Sequence, residues 1–421
     1  MILINKNARI AGISQLEQLL KQTIRFEFTE LSIEILRVLR LHYGLCGGDE
    51  KKYMFYEGQL HECEQLWQAE SRIESMYMDL IVRYVNTKSG KSAIAQKSDY
   101  LETAQSLMAQ YSSFKIHLFS RLIEVAIYDS RNDFARMEHS CEGALNFFSR
   151  KDYQSGLSLE LFYYNLVICY LYSRQYEKGL AMIETFTPLL AEGSFNWFKL
   201  KELQVYTYLH AQQYQAALDI YQTVTEQSEF GNLTLAVAET WKLMEAYFFY
   251  LANIGVVGNE AAENILEHFR LGRFLNEVPT LTKDKRGMNV SILVIQFLCN
   301  TLNVNGLDQE EERVEALNKY RTRYLNDTET TRSNFFLGIL VQVLQQHHNL
   351  QMLDQKSKKF IDKLESTPWE SINQNHEIEI IPYQNLWNLM LKDLNARKHT
   401  KPVTPAIPIR SKHNASMPAV L

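Results

Sequence analysis

Two stretches between Leu161 and Thr225 superpose at an offset of 38 residues. The first runs Tyr170, five residues, then Tyr176-Glu177-Lys178-Gly179-Leu180; the second runs Tyr208, five residues, then Tyr214-Gln215-Ala216-Ala217-Leu218. Self-similarity at a period of about 20–50 residues marks a chain built from stacked supersecondary units. A fainter copy lies upstream, with Tyr128, Phe134 and Met137, and its tyrosine precedes Tyr170 by 42 residues. The physical content of the pattern is a helix, a polar break and a second helix. Ser173-Arg174-Gln175 and Ala211-Gln212-Gln213 supply the breaks. Gly179 and Ala217 present almost no side chain, so a partner helix can approach closely there. Tyr170 and Tyr208 fill the space beside that contact. One such hairpin cannot bury its apolar face alone and needs neighbours stacked on it.

Composition leads to the same class. The chain has 421 residues, 46% hydrophobic and 22% charged, enough for a large core or two domains. Only 17 Gly and 8 Pro occur, and Pro402, Pro405, Pro408 and Pro418 all lie close to the C-terminus, so the body has few helix breakers. Helix periodicity recurs, as in Ile13, Leu16, Leu19, Leu20 and Ile24. The spacing predicts helices over 12–26, 29–44, 50–70, 72–87, 97–111, 115–129, 131–148, 157–173, 176–190, 196–211, 214–227, 233–252 and 259–270. It continues them over 288–304, 308–325, 328–346, 350–366 and 383–396, with 271–287 as the longest internal interruption.

The repeated stretches resemble the tetratricopeptide repeat, over roughly residues 114–228. Leu166 and Tyr170 take first-helix positions of that repeat, Tyr176 opens the second helix, and Gly179 takes its small position. In the next copy Tyr208, Tyr214 and Ala217 match, whereas Gln204 stands where the family has Leu. The family's early Trp is Tyr163 and then Lys201, and its small residue after the Leu is Val167 and then Val205. The resemblance implies an all-α, right-handed α-solenoid of antiparallel helix pairs. The expected organisation is an N-terminal helical region over 1–112, tetratricopeptide-like repeats over 113–270, a C-terminal helical region over 271–396 and a basic tail over 397–421. That tail carries Arg397, Lys398, Lys401, Arg410 and Lys412 with no acidic residue, leaving −10 on the remainder of a chain whose formal charge is −5. Its composition is that of a disordered segment.

Several function classes are disfavoured by the residues. Met1 to Gly12 has no apolar stretch of leader length, and no run reaches the roughly 18 apolar residues of a membrane span. Cys46, Cys63, Cys141, Cys169 and Cys299 form no regular framework and read as reduced thiols, which points to a cytoplasmic protein. No phosphate loop, dinucleotide fingerprint, HExxH or GxSxG is present, so neither an enzyme nor a cofactor is expected. Gly44 to Gly48 reads as a helix terminator. His42 and Cys46 share a helical face, but His61 and Cys63 are two residues apart and point in different directions. A closed zinc tetrahedron is therefore not expected. Glu310-Glu311-Glu312 open a helix, where acidic groups meet its dipole favourably.

Basic residues cluster at Lys283, Lys285 and Arg286, and at Lys319, Arg321 and Arg323 with Tyr320 and Tyr324 between them. Basic side chains interleaved with aromatics can track nucleic acid. Glu310 to Glu312 and Glu315 precede the second set, however, and such mixed charge usually means a solvated face. The sequence pI near 6.2 also weighs against nucleic acid.

Recognition of a protein or peptide partner is what remains. Stacked helix pairs leave a concave surface lined by the first helix of each pair. The resemblance places Tyr164, Ile168 and Tyr172 on that surface in one repeat, and Lys199, Glu202, Tyr206 and His210 in the next. Tyrosine suits such a surface, since it combines area with a hydrogen-bonding tip, although with 23 Tyr and 21 Phe many must be core. These positions do not resemble the Lys/Asn-rich carboxylate clamp of chaperone-binding tetratricopeptide proteins. The expectation is a scaffold that binds its partner in the groove. The alternatives are a peptide-responsive sensor resembling bacterial helical-repeat receptors, and a nucleic-acid-associated protein.

Overall fold

Helix termini organise the structure. In the computed structural model, which describes residues 9–86, 94–151, 153, 156–277, 288–302, 310–325, 331–347, 349–367 and 379–399, every regular element is helical and no strand occurs among the described residues. The first unit comprises Met1–Ala211 and Ile220–Leu233; the second comprises Gln212–Asp219 and Thr234–Leu421.

In the first unit, α1 (Arg9–Arg25), α2 (Thr29–Leu41), α3 (Glu50–Asn86) and α4 (Ser98–Gln110) precede α5 (Phe114–Ser130) and α6 (Phe134–Ser149). They are followed by α7 (Gly156–Tyr172), α8 (Tyr176–Phe186) and α9 (Phe195–His210), while α10 (Tyr214–Thr225) is shared with the second unit. Packing follows chain order: α1 on α2, α2 on α3, then each of α4 to α9 on its predecessor. Contacts to the next but one, α3 with α5 and α7 with α9, add a second direction. The cores follow this order. Ile33, Leu36, Leu39 and Leu60 close the first; Ile73, Leu80, Ile116 and Ile123 the second; and Met137, Cys141, Phe148, Phe162 and Leu166 the third.

The sequence repeat has a local structural counterpart in how helices end. Asn132, Arg174 and Gln212 have φ of 54°, 59° and 60°, and the last two are separated by the repeat offset. Gly255 (φ 69°) and Glu27 (φ 56°) occupy the same kind of turn. In four of these turns the next amide reaches back five residues: Phe28 to Thr23 (2.8 Å), Asp133 to Tyr128 (2.9 Å), Gln175 to Tyr170 (2.8 Å) and Val256 to Leu251 (2.9 Å). This is the six-to-one closure of a Schellman motif. Tyr128 and Tyr170 thus supply the accepting carbonyl in two of these turns, and the aromatic six residues later, Phe134 or Tyr176, opens the next helix. Arg174 and Gln212 adopt a left-handed conformation that disfavours branched L side chains. New helices start where a side chain caps the first turn, as Asp133 Oδ1 does for the Arg136 amide (3.2 Å) and Ser194 Oγ for that of Trp197 (3.3 Å).

Two expectations change in the first unit. The predicted helices over 50–70 and 72–87 are one helix, α3. The boundary expected at residue 71 falls beside Glu70, which is buried and accepts a 2.6 Å hydrogen bond from Ser113 Oγ at the start of α5. No Gly or Pro stands there to end the helix. Beyond α2 the predicted helix continues as a π-turn, His42–Gly47, closed by Gly48 at φ 56°.

The second unit contains α11 (Leu235–Asn253), α12 (Glu260–His268), α13 (Leu271–Glu277), α14 (Met288–Thr301), α15 (Glu310–Tyr324), α16 (Thr331–Gln346), α17 (Leu350–Ser366) and α18 (Tyr383–His399). Helix α11 packs on α12, α13 and α14; α16 packs on α14, α15 and α17; α17 packs on α18. Arg332, fully buried, is held by Glu379 (2.6 and 3.2 Å), by the Leu364 and Thr367 carbonyls (2.6 and 3.0 Å) and by Gln384 (3.0 Å). A buried guanidinium is tolerated because all its faces are met. Helix α13 takes up the start of the segment 271–287 that is expected above as an interruption. Arg397, assigned above to the tail, belongs to α18 and bonds Asp393 and the Thr301 carbonyl. The segment 400–421 and the basic cluster Lys283, Lys285 and Arg286 lie outside the described residues. Among those residues no helix is long and apolar enough to cross a membrane.

Gly179 is buried, and a Cβ built on it would lie 3.4 Å from Tyr170 Cβ and 3.7 Å from Thr207 Cγ2. A larger side chain has no room there. Gly179→Leu is expected to lower stability by about 1–3 kcal/mol or more, measured as a shift of the denaturant midpoint with unchanged slope.

Candidate functional site

The seven residues assigned to a groove fall on α7 and α9, which pack together. Tyr172, Glu202, Tyr206 and His210 are buried at 4–6% exposure, and they offer little side-chain surface to a partner in this conformation. Tyr172 stacks on Phe134 (5.7 Å between centroids), and His210 meets Tyr176 edge-on (6.3 Å). Ile168 packs against the core of α5 to α7. Tyr164, Lys199 and Glu202 do form a group: Lys199 Nζ bonds Glu202 at 2.7 Å, and burial together with the Glu202 charge pushes the Tyr164 phenol up. Helix α9 is buried on almost every face, from Trp197 and Phe198 through Leu200 and Val205 to Leu209 and His210. Such a helix lies inside a protein rather than lining its surface.

Surface access lies on the neighbouring helices. Helix α5 packs against both α4 and α6, and a cleft of about 380 Å³ opens over it. Its floor is Arg121, Glu124 and Tyr128, one face of α5 at helical spacing. One wall is Gln105 and Met108 of α4; the other is Arg136, His139 and Ser140 of α6. Three capped or closed helix ends hold these side chains in place: Ser113 before α5, and the Asn132 turn and the Asp133 cap before α6.

The floor is an ion pair with 5% side-chain exposure at its carboxylate. Glu124 accepts from Arg121 Nη1 (2.8 Å), Ser140 Oγ (2.7 Å) and, weakly, Gln105 Nε2 (3.4 Å). A buried carboxylate survives only with such partners. Arg121 lies against Gly143, where a Cβ would stand 2.9 Å from Nη2. Its Nε is buried with no hydrogen-bond partner among the described residues. Arg136 is 66% exposed at the rim, 3.5 Å from Asp133, with its guanidinium 6.0 Å from the Tyr128 ring centroid. His139 is exposed beside it. Sequence reading missed this site, because its residues come from three helices with no motif spacing between them. The one available signal was Glu124, an acid in the otherwise apolar run Leu122 to Ile127.

The remaining candidates separate. Among the described residues no group of three or more His, Cys, Asp or Glu is gathered to hold a metal ion. Cys46 is exposed, Cys63 half-buried, and the other three cysteines are buried. Lys319 pairs with Glu315 at 2.7 Å, whereas Arg321 turns inward to Asn334 (3.0 and 3.2 Å) and the Phe360 ring, so this basic set shares no single outer face. Comparison with protein-family models, with curated proteins and with solved structures gives no match.

Two outcomes follow from this packing. Tyr172→Ala and Tyr206→Ala are each expected to cost about 3–5 kcal/mol, the range for large buried aromatics, seen as a fall in melting temperature before any binding is assayed. One turn before Arg121, His117 stacks on Phe147 at 3.7 Å, and burial followed by the Arg121 charge lowers its pKa from 6.5 to about 4. The folded chain then binds fewer protons than the unfolded chain between about pH 6.5 and 4, so stability falls as pH falls through that window. Denaturant midpoints measured across it should slope less steeply for His117→Gln than for the parent.

Proposed function

We propose that this chain is a helical-repeat binding protein whose first unit is a right-handed, tetratricopeptide-like solenoid. In this reading it captures a protein or peptide partner, and its role is recognition rather than chemistry. The support for the fold is the repeat offset, the turn that recurs at Asn132, Arg174 and Gln212, and packing in chain order with α7 reaching α9. The support for a binding role is the absence of catalytic motifs from the sequence together with the cleft over α5.

The cleft carries the location. Its polar floor is pre-organised by Glu124 and Arg121, and a rim guanidinium and an imidazole stand exposed beside an aromatic ring. Binding sites generally combine a concave shape with a few fixed polar groups. Arginine and tyrosine are the side chains that most often anchor partners. The tyrosines of α7 and α9 take the other role open to them, as the interior that keeps the stack rigid.

A photo-crosslinking amino acid placed at Gln105, on the exposed wall of the cleft, tests this reading. It is expected to join the chain to one defined segment of one polypeptide from the native host, and the same crosslink should re-form between the two purified proteins. The same probe at Glu177, exposed on α8, should not give it. Equal labelling from both positions, or none from Gln105, would remove the cleft as the docking place.

A further inference from the structure

We infer that the cleft over α5 is a carboxylate site, in which Arg121 and Arg136 receive an acidic group of the partner beside the Tyr128 ring. This rests on the cleft being the docking place and adds the chemistry of what it takes.

The first observation is charge. The lining holds two guanidinium groups, of Arg121 and Arg136, against one carboxylate, that of Glu124, an excess of one positive charge among these side chains in a chain of −5, with Asp133 outside the lining at 3.5 Å from Arg136. A monoanion balances that charge, whereas a dianionic phosphate over-compensates it. The second is that Glu124 asks nothing of a ligand. Its oxygens are met by Arg121, Ser140 and Gln105, so a cationic ligand would have to break an existing pair. The third is unused donor capacity. Glu124 takes only Nη1 of Arg121, and Gly143 leaves room for the guanidinium to lie flat against α6. The Nε of the same side chain is buried without a hydrogen-bond partner among the described residues. A buried donor left unsatisfied favours any acceptor that reaches it.

The fourth observation concerns the rim. Arg136 is 66% exposed, and its contact with Asp133, at 3.5 Å, is longer than a good charge-assisted bond. An incoming carboxylate can meet this guanidinium through two parallel N–H donors, a geometry that lysine cannot reproduce. Met108, half-buried, offers apolar area to the stem that carries the acid, and the edge of the buried Tyr128 ring closes the cleft behind it. The acid can belong to an Asp or Glu side chain or to a chain terminus, and the chemistry at the site is the same.

Fluorescence anisotropy with three labelled heptapeptides of otherwise identical apolar sequence tests the inference on the full chain. One has a central Glu and an amidated end, one a central Gln and an amidated end, and one a central Gln with a free C-terminal carboxylate. At least one acid-bearing peptide is expected to bind and the neutral one is not; the tighter of the two acids identifies the source. Arg136→Gln should weaken that binding about tenfold or more, the loss of one charge-assisted bond, without shifting the melting temperature, since the side chain is exposed. Equal binding of the neutral peptide, no binding of any peptide, or undiminished binding by Arg136→Gln would overturn the assignment. Displacement by inorganic phosphate at equal concentration would overturn the choice of a monoanion. A crosslink at Gln105 that persists through such a failure would leave the docking place standing and remove only its chemistry.

Discussion

A helix hairpin buries only the seam between its own two helices; the apolar faces outside that seam must be covered by further helices. In the first unit this constraint governs the rest. Helices α7 and α9 are apolar around most of their circumference, so they require neighbours on every side. Three of the turns between helices are alike: a left-handed residue at Asn132, Arg174 and Gln212, a five-residue reach-back to a tyrosine carbonyl in the first two, and an aromatic that opens the next helix. Arg174 and Gln212 adopt the left-handed conformation that ends a helix in this kind of turn.

The same stacking creates the cleft. Helix α5 carries both the core residues Leu122 and Val125 and the charged pair Arg121 and Glu124, so one helix serves the interior and the site. The pair is stable there because α6 supplies Ser140 as a donor and Gly143 as an open space. Close by, His117 stays neutral near physiological pH, since burial and the Arg121 charge both disfavour its protonation. Stability and the electrostatics of the cleft are therefore coupled through one turn of α5.

The residues read as a groove show where sequence reasoning reaches its limit. The tetratricopeptide resemblance places Tyr172, Tyr206 and His210 on the inward side of a hairpin, a side that a regular stack would leave open. Here they stack on Phe134 and Tyr176 or are packed into the interior. A tyrosine that lines a groove and a tyrosine that fills a core have the same spacing. Only the position of the surrounding helices separates the two. Arg321 makes the same point for charge: it stands in a basic run, yet it turns inward to Asn334 while Lys319 pairs outward with Glu315.

What the sequence determined by itself is the helical class, most helix positions and the helix break that recurs at Arg174 and Gln212. These are short-range properties: the scarcity of Gly and Pro, the 3.6-residue apolar period, and a break whose residues lie within one turn of each other. Glu70 marks the edge of that range: it stands beside the boundary expected at residue 71, inside the unbroken α3, and its buried carboxylate meets Ser113, 43 residues away. Tertiary structure decided which side chains meet. Gln105, Arg121, Glu124, Arg136 and Ser140 come from three helices and converge only when α4 and α6 flank α5. Burial and charge balance are sums over neighbours distant in the chain, and no local pattern records them.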